Sequence, residues 1–247
     1  MEIANIFSIK NQNLYKDEKY VMLLAQLIND YKKKYFNKNQ YIILDNGLYE
    51  GAQVSTDLAD LIMMAEDSEL PIKEIIIPDK FFDLKGTEEL FLDNLSMIES
   101  NSDRFAFMFV AQSKNIKEFG KAIKFINKFN HLNLVVGIPK RAPFNRQSDE
   151  AIKIYKKCKF PIHFLGLTDK DPLTKLFKVK DIIRSCDTSQ ICTMLKNMGN
   201  SGKKSDILYY VRLPHDKVID LKDDYFDEKD IKFYIEEIKN NFGEDVA

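Results

Sequence analysis

Short runs of consecutive apolar residues recur along this chain, each ending at a turn-forming or acidic residue. Between them lie stretches whose apolar positions fall at helical spacing. Residues 2–9 open as a first strand. From Asp17 to Tyr35 the apolar positions Val21, Leu24, Leu27, Ile28 and Tyr31 predict a helix. Tyr41-Ile-Ile-Leu44 then reads as a buried strand stopping at Asp45-Asn46-Gly47, a turn signal. Ser55 or Thr56 is placed to cap a helix carrying Leu58, Leu61, Ile62 and Ala65. The alternation continues with a strand at 74–77 stopping at Pro78-Asp79, a helix at about 87–99, and a strand at 105–110 stopping at Gln112. A helix at 115–128 precedes a strand at 132–136 that stops at Gly137-Ile138-Pro139. Ser148 opens a helix to about 158, a strand at 161–165 stops at Gly166, and Pro172 starts a short helix.

The stretch Asp181-Ile-Ile-Arg-Ser-Cys-Asp-Thr-Ser189 predicts a strand ending at Ser185, a tight turn through Asp187, and a hydroxyl cap for a helix to about Met198. Residues 207–211 supply an eighth strand, and 228–241 a closing helix. Continuous apolar strands alternating with helices are the signature of a parallel sheet buried on both faces. Seven or eight such units across residues 1–247 predict a single domain and favour a closed (β/α)8 TIM barrel of α/β class over an open doubly wound sheet.

Composition narrows this picture only modestly. Hydrophobic residues make up 45% and charged residues 30%, as in ordinary globular chains, and the formal net charge is −1. Such a balance neither demands nor excludes a polyanionic partner. Cys158, Cys186 and Cys192 form no C-x-x-C pair, and their odd number speaks for a reducing, cytoplasmic setting. No basic segment followed by an apolar run opens the chain, and no window reaches the roughly 20 apolar residues of a membrane helix. Neither G-x-G-x-x-G nor G-x-x-x-x-G-K-[ST] occurs, so a dinucleotide or P-loop site has no support and no cofactor is expected.

Candidate chemistry lies at the strand ends: Asp45, Asp79, Gln112, Gly137, Gly166 and Asp187. In a barrel these positions face one mouth, where three carboxylates and an amide would converge between glycines. Each has an ordinary structural use as well. Asp45 suits a turn, Asp79 and Asp187 suit helix caps, and the glycines suit demanding backbone geometry. Two acids plus a third polar group at a mouth suit glycosyl chemistry, in which one carboxylate attacks an anomeric carbon and another handles the proton of the leaving and arriving group. His163, inside an apolar strand, reads as a barrel-wall residue, and His131 and His215 fall outside the mouth pattern.

Ile43-Leu-Asp-Asn-Gly-Leu-Tyr-Glu50, Ile77-Pro-Asp79, Val110-Ala-Gln112, Val136-Gly-Ile138, Phe164-Leu-Gly166 and Ser185-Cys-Asp187 together resemble the ordered motifs of tRNA-guanine transglycosylases. Those are (β/α)8 barrels that exchange a guanine in nucleic acid for a 7-deazaguanine. The resemblance implies Asp187 as nucleophile and Asp45 as general acid/base. It assigns base binding to Asp79, Gln112, Asn46, Gly137, Ile138 and Gly166, with Tyr49 and Leu165 sandwiching the ring.

The family's C-x-C-x-x-C…H zinc site is absent, so the resemblance points to a zinc-free barrel with no bound metal. It is closest to the phage-type branch that modifies DNA, which implies a virus-encoded enzyme acting in the host cytoplasm on DNA in preference to tRNA. Lys140, Arg141, Arg146, Lys170, Lys175 and Arg184, with Lys203 and Lys204 further on, are the expected phosphate contacts. Two alternatives stay open: a catalytically silent nucleic-acid-binding subunit of the same fold, and an unrelated barrel acting on a small sugar or phosphate ester.

Overall fold

The computed structural model describes residues 2–47, 57–139, 142–146, 148–166, 183–188, 225 and 227–243. Eight parallel strands close into a barrel in sequence order: β1 (Glu2–Asn5), β2 (Tyr20–Leu24), β3 (Tyr41–Asp45), β4 (Ile72–Ile76), β5 (Ala106–Val110), β6 (Leu134–Ile138), β7 (Ile162–Phe164) and β8 (Ile183–Thr188). Closure is made by β1 against β8, with Glu2 opposite Ser185 and Asn5 opposite Thr188. The expected α/β barrel is therefore the fold.

The strand count is reached differently from the expectation. The helix predicted over 17–35 is instead β2 followed by two 3-10 segments, Ala25–Asp30 and Lys33–Tyr35. Five consecutive apolar residues, Tyr20 to Leu24, fit a strand buried on both faces as well as they fit a helix. Pairing decides the matter, because β2 lies in unbroken register with β3, from Tyr20 opposite Tyr41 to Leu24 opposite Asp45. The two tyrosine rings stack at 4.9 Å with 17° between their planes. With β2 counted, Ile183–Thr188 is the eighth strand, and the barrel closes without residues 207–211, which lie outside the described residues. The predicted helices after Pro172 and Ser189 lie outside them too.

Among the described residues the outer layer contains α1 (Leu58–Asp67), α2 (Leu84–Asp93), α3 (Leu95–Asn101), α4 (Ile116–Ile126), α5 (Asp149–Tyr155) and α6 (Glu228–Gly243). Asp57, not Ser55 or Thr56, precedes α1 as its N-cap. The single helix expected over 87–99 is split at Asn94. Asn115 and Ser148 cap α4 and α5 by accepting the Glu118 and Ala151 N–H groups. Ile231 and Ile235 of α6 join the same buried cluster as the outward faces of the strands.

Alternation along the strands divides the apolar residues into two sets. Val21, Leu23, Ile42, Leu44, Phe107, Phe109, Val136 and Phe164 pack under the helices. Ala4, Met22, Ile43, Ile76, Ala106, Met108, Val110 and Val135 fill the barrel itself. The interior is thus filled at mid-height mainly by apolar side chains, with His163 and Ser185 as buried polar residues among them. Two register shifts shape those ends: Ile42/Ile43 of β3 face Ile72/Glu74, and Ile162/His163 of β7 face Ile183/Ser185. Lys73 and Arg184 are the extra residues, and the second bulge lets Arg184 and Ser185 both serve the interior.

Candidate active site at the barrel mouth

Asp45 is the last residue of β3 and Asp187 the fifth of β8, so both carboxylates sit at the C-terminal mouth. Asp187 is therefore a strand residue opposite Ala4, which corrects its expected place in a turn after Ser185. Asp79 follows β4 by three residues. All three acids are buried.

Asp45 accepts the Gly47 N–H at 2.9 Å, a contact that depends on the left-handed backbone at Gly47, φ 76°. A side chain there would also run into the Gln26 amide. Burial pushes the Asp45 carboxyl up to about 7; the Gly47 N–H opposes this, and the negative charges of Asp187 and Asp79 add to it. Near neutral pH the mouth therefore holds an acid that can either give or take a proton.

Asp187 accepts the Gly166 N–H at 2.8 Å and faces His163 Nε2 at 3.1 Å, both through Oδ1. Gly166 also adopts a left-handed conformation, φ 61°. Its expected place in the site is thus one of backbone geometry, aiming an N–H at the acid.

Asp79 plays a different part. One of its oxygens takes the Asn46 amide at 2.9 Å and the other the Gln112 amide at 2.6 Å. The Gln112 carbonyl in turn accepts the Phe82 N–H at 3.2 Å, and Asn46 reaches the Ile77 carbonyl. Burial raises Asp79 above the usual carboxylate range, while the two amides partly offset the effect. The three side chains expected to read a base edge therefore bond one another and tie together the ends of β3, β4 and β5.

Gly137 and Ile138 lie within β6, not in the loop after it, since the strand is displaced by two residues from its expected span. A Cβ at Gly137 would stand 2.8 Å from Met108 Sδ and 3.1 Å from Leu165. Its missing side chain makes room for the interior packing. Ile138 is fully buried with the outward-facing core, and Leu165 packs against the interior cluster. Tyr49 lies outside the described residues.

The expected phosphate contacts are corrected at both arginines that can be placed. Arg146 is buried and donates to the carbonyls of Ile138, Leu165 and Gly166 at 3.1–3.2 Å, pinning the ends of β6 and β7. Arg184 points to the opposite end of the barrel. It forms a fork with Glu74, at 2.6 and 3.0 Å, and lies over the Tyr41 ring. Lys140, Arg141, Lys170, Lys175, Lys203 and Lys204 lie outside the described residues.

Two features escaped the sequence reading. His163 is completely buried, bonded to Ser185 and Asp187, and belongs to the site after all. The available signal was the i, i+2 spacing of Ser185 and Asp187, which puts both on one face of a strand. Phe81 and Phe82 are exposed just beyond Asp79, and Phe82 carries an unusual φ of 52°. Two adjacent phenylalanines after a strand end were the signal there. Among the described residues no three His, Cys, Asp or Glu side chains are grouped to hold a metal ion, and no helix is long and apolar enough to cross a membrane.

No family model matches the chain, and no curated protein sequence does. Solved structures do match in fold. A Burkholderia cenocepacia J2315 protein described as a lyase/mutase is 10% identical, with a TM-score of 0.51 over 95% of this chain and 90% of that one. Oxaloacetate acetylhydrolase, in complex with the inhibitor 3,3-difluorooxalacetate, is 10% identical, with a TM-score of 0.50 over 98% and 92%. A 2,3-dimethylmalate lyase of the PEP mutase/isocitrate lyase superfamily is 8% identical at a TM-score of 0.48, covering 98% and 94%.

The first two of these neighbours overturn the resemblance to tRNA-guanine transglycosylases, and with it the guanine exchange, the aspartyl-glycosyl intermediate, the DNA-modifying role and the silent-subunit alternative. The physical reason is plain. Dipeptides such as Pro-Asp, Ala-Gln and Leu-Gly at strand ends are what barrel geometry asks for, whatever the chemistry. At such identities the likeness establishes the barrel and nothing finer.

Proposed function

We propose that this chain is an enzyme that carries out acid–base chemistry at the barrel mouth on a small, neutral or cationic molecule rich in hydrogen-bond donors. The observation that carries this reading is the buried Asp45 carboxyl, pushed up to about 7 by burial first and by the negative charges of Asp187 and Asp79 after it. A buried carboxyl held near neutrality beside other acids can serve as either acid or base. Asp45 moves the proton. Asp187, held by a backbone N–H and an imidazole, accepts hydrogen bonds from the substrate or stabilises positive charge developing on it. The Asp79–Asn46–Gln112 network ties together the ends of β3, β4 and β5 beside Asp45, so these groups are set in place before reaction.

Substrate charge follows from the same residues. An oxaloacetate-like dianion, the kind of inhibitor bound by one fold neighbour, would meet three acids. Of the arginines expected at the mouth, the two among the described residues are already engaged, Arg146 with backbone carbonyls and Arg184 with Glu74. Polyols and amines suit the mouth better.

The test is a thermal-shift screen of the whole chain against polyols, amines and dicarboxylates, with hits incubated in D2O and followed by proton NMR. Polyols or amines are expected to stabilise the protein and to be converted or deuterated. Asp45→Asn should slow that reaction by about 10²–10⁴-fold, the usual worth of a general acid/base. A screen in which only dicarboxylates bind, or an Asp45→Asn protein with undiminished turnover, would sink the reading.

A further inference from the structure

A continuous file of buried polar groups runs up the barrel interior and ends on Asp187. Glu74 holds the Arg184 guanidinium in a two-point fork, and the Tyr41 hydroxyl donates to Glu74 Oε2 at 2.7 Å. Arg184 Nε donates to Ser185 Oγ at 3.1 Å, Ser185 Oγ lies 2.8 Å from His163 Nδ1, and His163 Nε2 lies 3.1 Å from Asp187 Oδ1. His163 and Ser185 are completely buried, and no buried side-chain nitrogen or oxygen among the described residues lacks a partner. The bulge at Arg184 makes the file possible, because it delivers two adjacent residues to the interior.

From this file we infer that His163 is a positioning residue, locked with Nδ1 accepting and Nε2–H donating, so that it fixes Asp187 Oδ1 and turns Oδ2 to the substrate. The direction is set at the far end. Arginine only donates, so it occupies a lone pair of Ser185 Oγ and leaves the hydroxyl proton to be given away. The receiver within reach is His163 Nδ1. An imidazole that accepts at Nδ1 carries its proton at Nε2 and offers it to Asp187. From Arg184 Nε onward, every donor in the file then points toward the mouth.

The opposite arrangement, with Nδ1–H donating to Ser185, would fill both lone pairs of Oγ and strand the hydroxyl proton in a dry interior. Oδ1 of Asp187 is consequently satisfied twice, by His163 and by the Gly166 N–H, whereas Oδ2 has no partner among the described residues.

The inference rests on reading Asp187 as a working carboxylate, but its test needs no substrate, so the two can fail separately. The chain has three histidines, and a long-range proton–nitrogen NMR spectrum of histidine-labelled protein resolves their ring protonation. His131→Gln and His215→Gln identify the His163 signals by elimination. A protonated Nε2 with an unprotonated Nδ1 is expected. A proton on Nδ1 overturns the proposal.

Ser185→Ala keeps the Glu74–Arg184 pair and should move the Nδ1 resonance to that of a nitrogen without a hydrogen bond. An unchanged resonance also overturns the proposal, since Ser185 would then not be the donor. The double variant Glu74→Gln/Arg184→Met removes both charges at once and should let the Nδ1–H form appear. If His163 keeps a single unaltered pattern in that variant, the direction is not set from the closed end. Where that double variant does not fold, the wild-type and Ser185→Ala spectra decide the matter by themselves.

Discussion

The two ends of this barrel bury charge in opposite ways. At the closed end Glu74 and Arg184 form a fork, and Tyr20 and Tyr41 stack beside them. Burial works against the Arg184 charge, but the Glu74 carboxylate more than offsets it and drives the guanidinium's pKa upward. At the mouth three carboxyls are gathered, and burial, with the charges of Asp187 and Asp79 adding to it, pushes Asp45 up to about 7. A cluster that cancels its own charge serves the fold. One that concentrates like charge costs stability, which is tolerated where the unfavourable arrangement is itself the working part. The His163 file joins the two ends.

The comparison is broken most strongly by removing half of the closed-end pair. Glu74→Ala leaves a buried guanidinium without its partner and is expected to destabilise the protein by about 3–5 kcal/mol in urea unfolding. Glu74→Leu/Arg184→Met, which removes both charges, should recover most of that loss. A single variant within about 1 kcal/mol of wild type would mean that water reaches the pair and that this end is not neutralised by burial.

The mouth responds in the opposite sense. The folded state raises the Asp45 pKa above its unfolded value, so it holds a proton that the unfolded chain has already released. Its penalty is absent below about pH 4, grows as pH rises toward about 7, and is constant beyond. Asp45→Asn removes that penalty and should make the protein more stable than wild type at pH 8, by about 2–4 kcal/mol, with little difference at pH 4. Urea midpoints of both proteins at the two pH values measure this. Equal differences at both would refute a titrating Asp45.

A smaller effect separates backbone geometry from chemistry. Gly166 combines φ 61° with the N–H that anchors Asp187. Gly166→Ala should cost about 1–2 kcal/mol for a left-handed alanine. It should also lower turnover more than the stability loss explains, because Asp187 loses its anchor. Unchanged turnover in a folded variant would make Gly166 a turn residue only.

Much of this architecture was legible in the sequence, for a reason that also explains the errors. Strands buried on both faces read as apolar runs, and seven of the eight strands were placed that way. The eighth, Tyr20–Leu24, has the same composition but is flanked by Leu27, Ile28 and Tyr31, which mimic a helical stripe. Only pairing with β3 separates the two possibilities, and pairing is not local. The acids at the mouth were legible because strand ends point there. Their partners were not: Arg184 reaches the closed end through a one-residue bulge, and His163 meets Ser185 and Asp187 across two strands. Motif order misled for the complementary reason, since it followed the barrel's repeat and not its chemistry.

The finest comparison sets two residues of identical backbone strain at the two ends. Glu69, in the connection from α1 to β4, has φ 54°, and Phe82, in the connection from β4 to α2, has φ 52°. Helix-to-strand connections lie at the closed end of such a barrel and strand-to-helix connections at the mouth. Glu69 is exposed and pairs with Lys33 on the surface, so its strain has no evident use. Phe82 is held by the Gln112 carbonyl, which belongs to the Asp79 network, and its half-exposed ring lies beside Phe81, with 6.4 Å between centroids. Glycine relieves the left-handed penalty at either position and gives back part of the gain as lost chain entropy. Phe82→Gly should therefore stabilise by about 0.5–1 kcal/mol. Glu69→Gly should raise the Tm without touching ligand binding. Phe82→Gly should raise the Tm yet weaken the thermal shift given by whichever polyol or amine binds the mouth, because it removes an aromatic ring from the connection that the Asp79 network holds. If both variants bind ligand as wild type does, the strain at the mouth is as idle as the strain at the closed end. The aromatic pair would then be surface and not site.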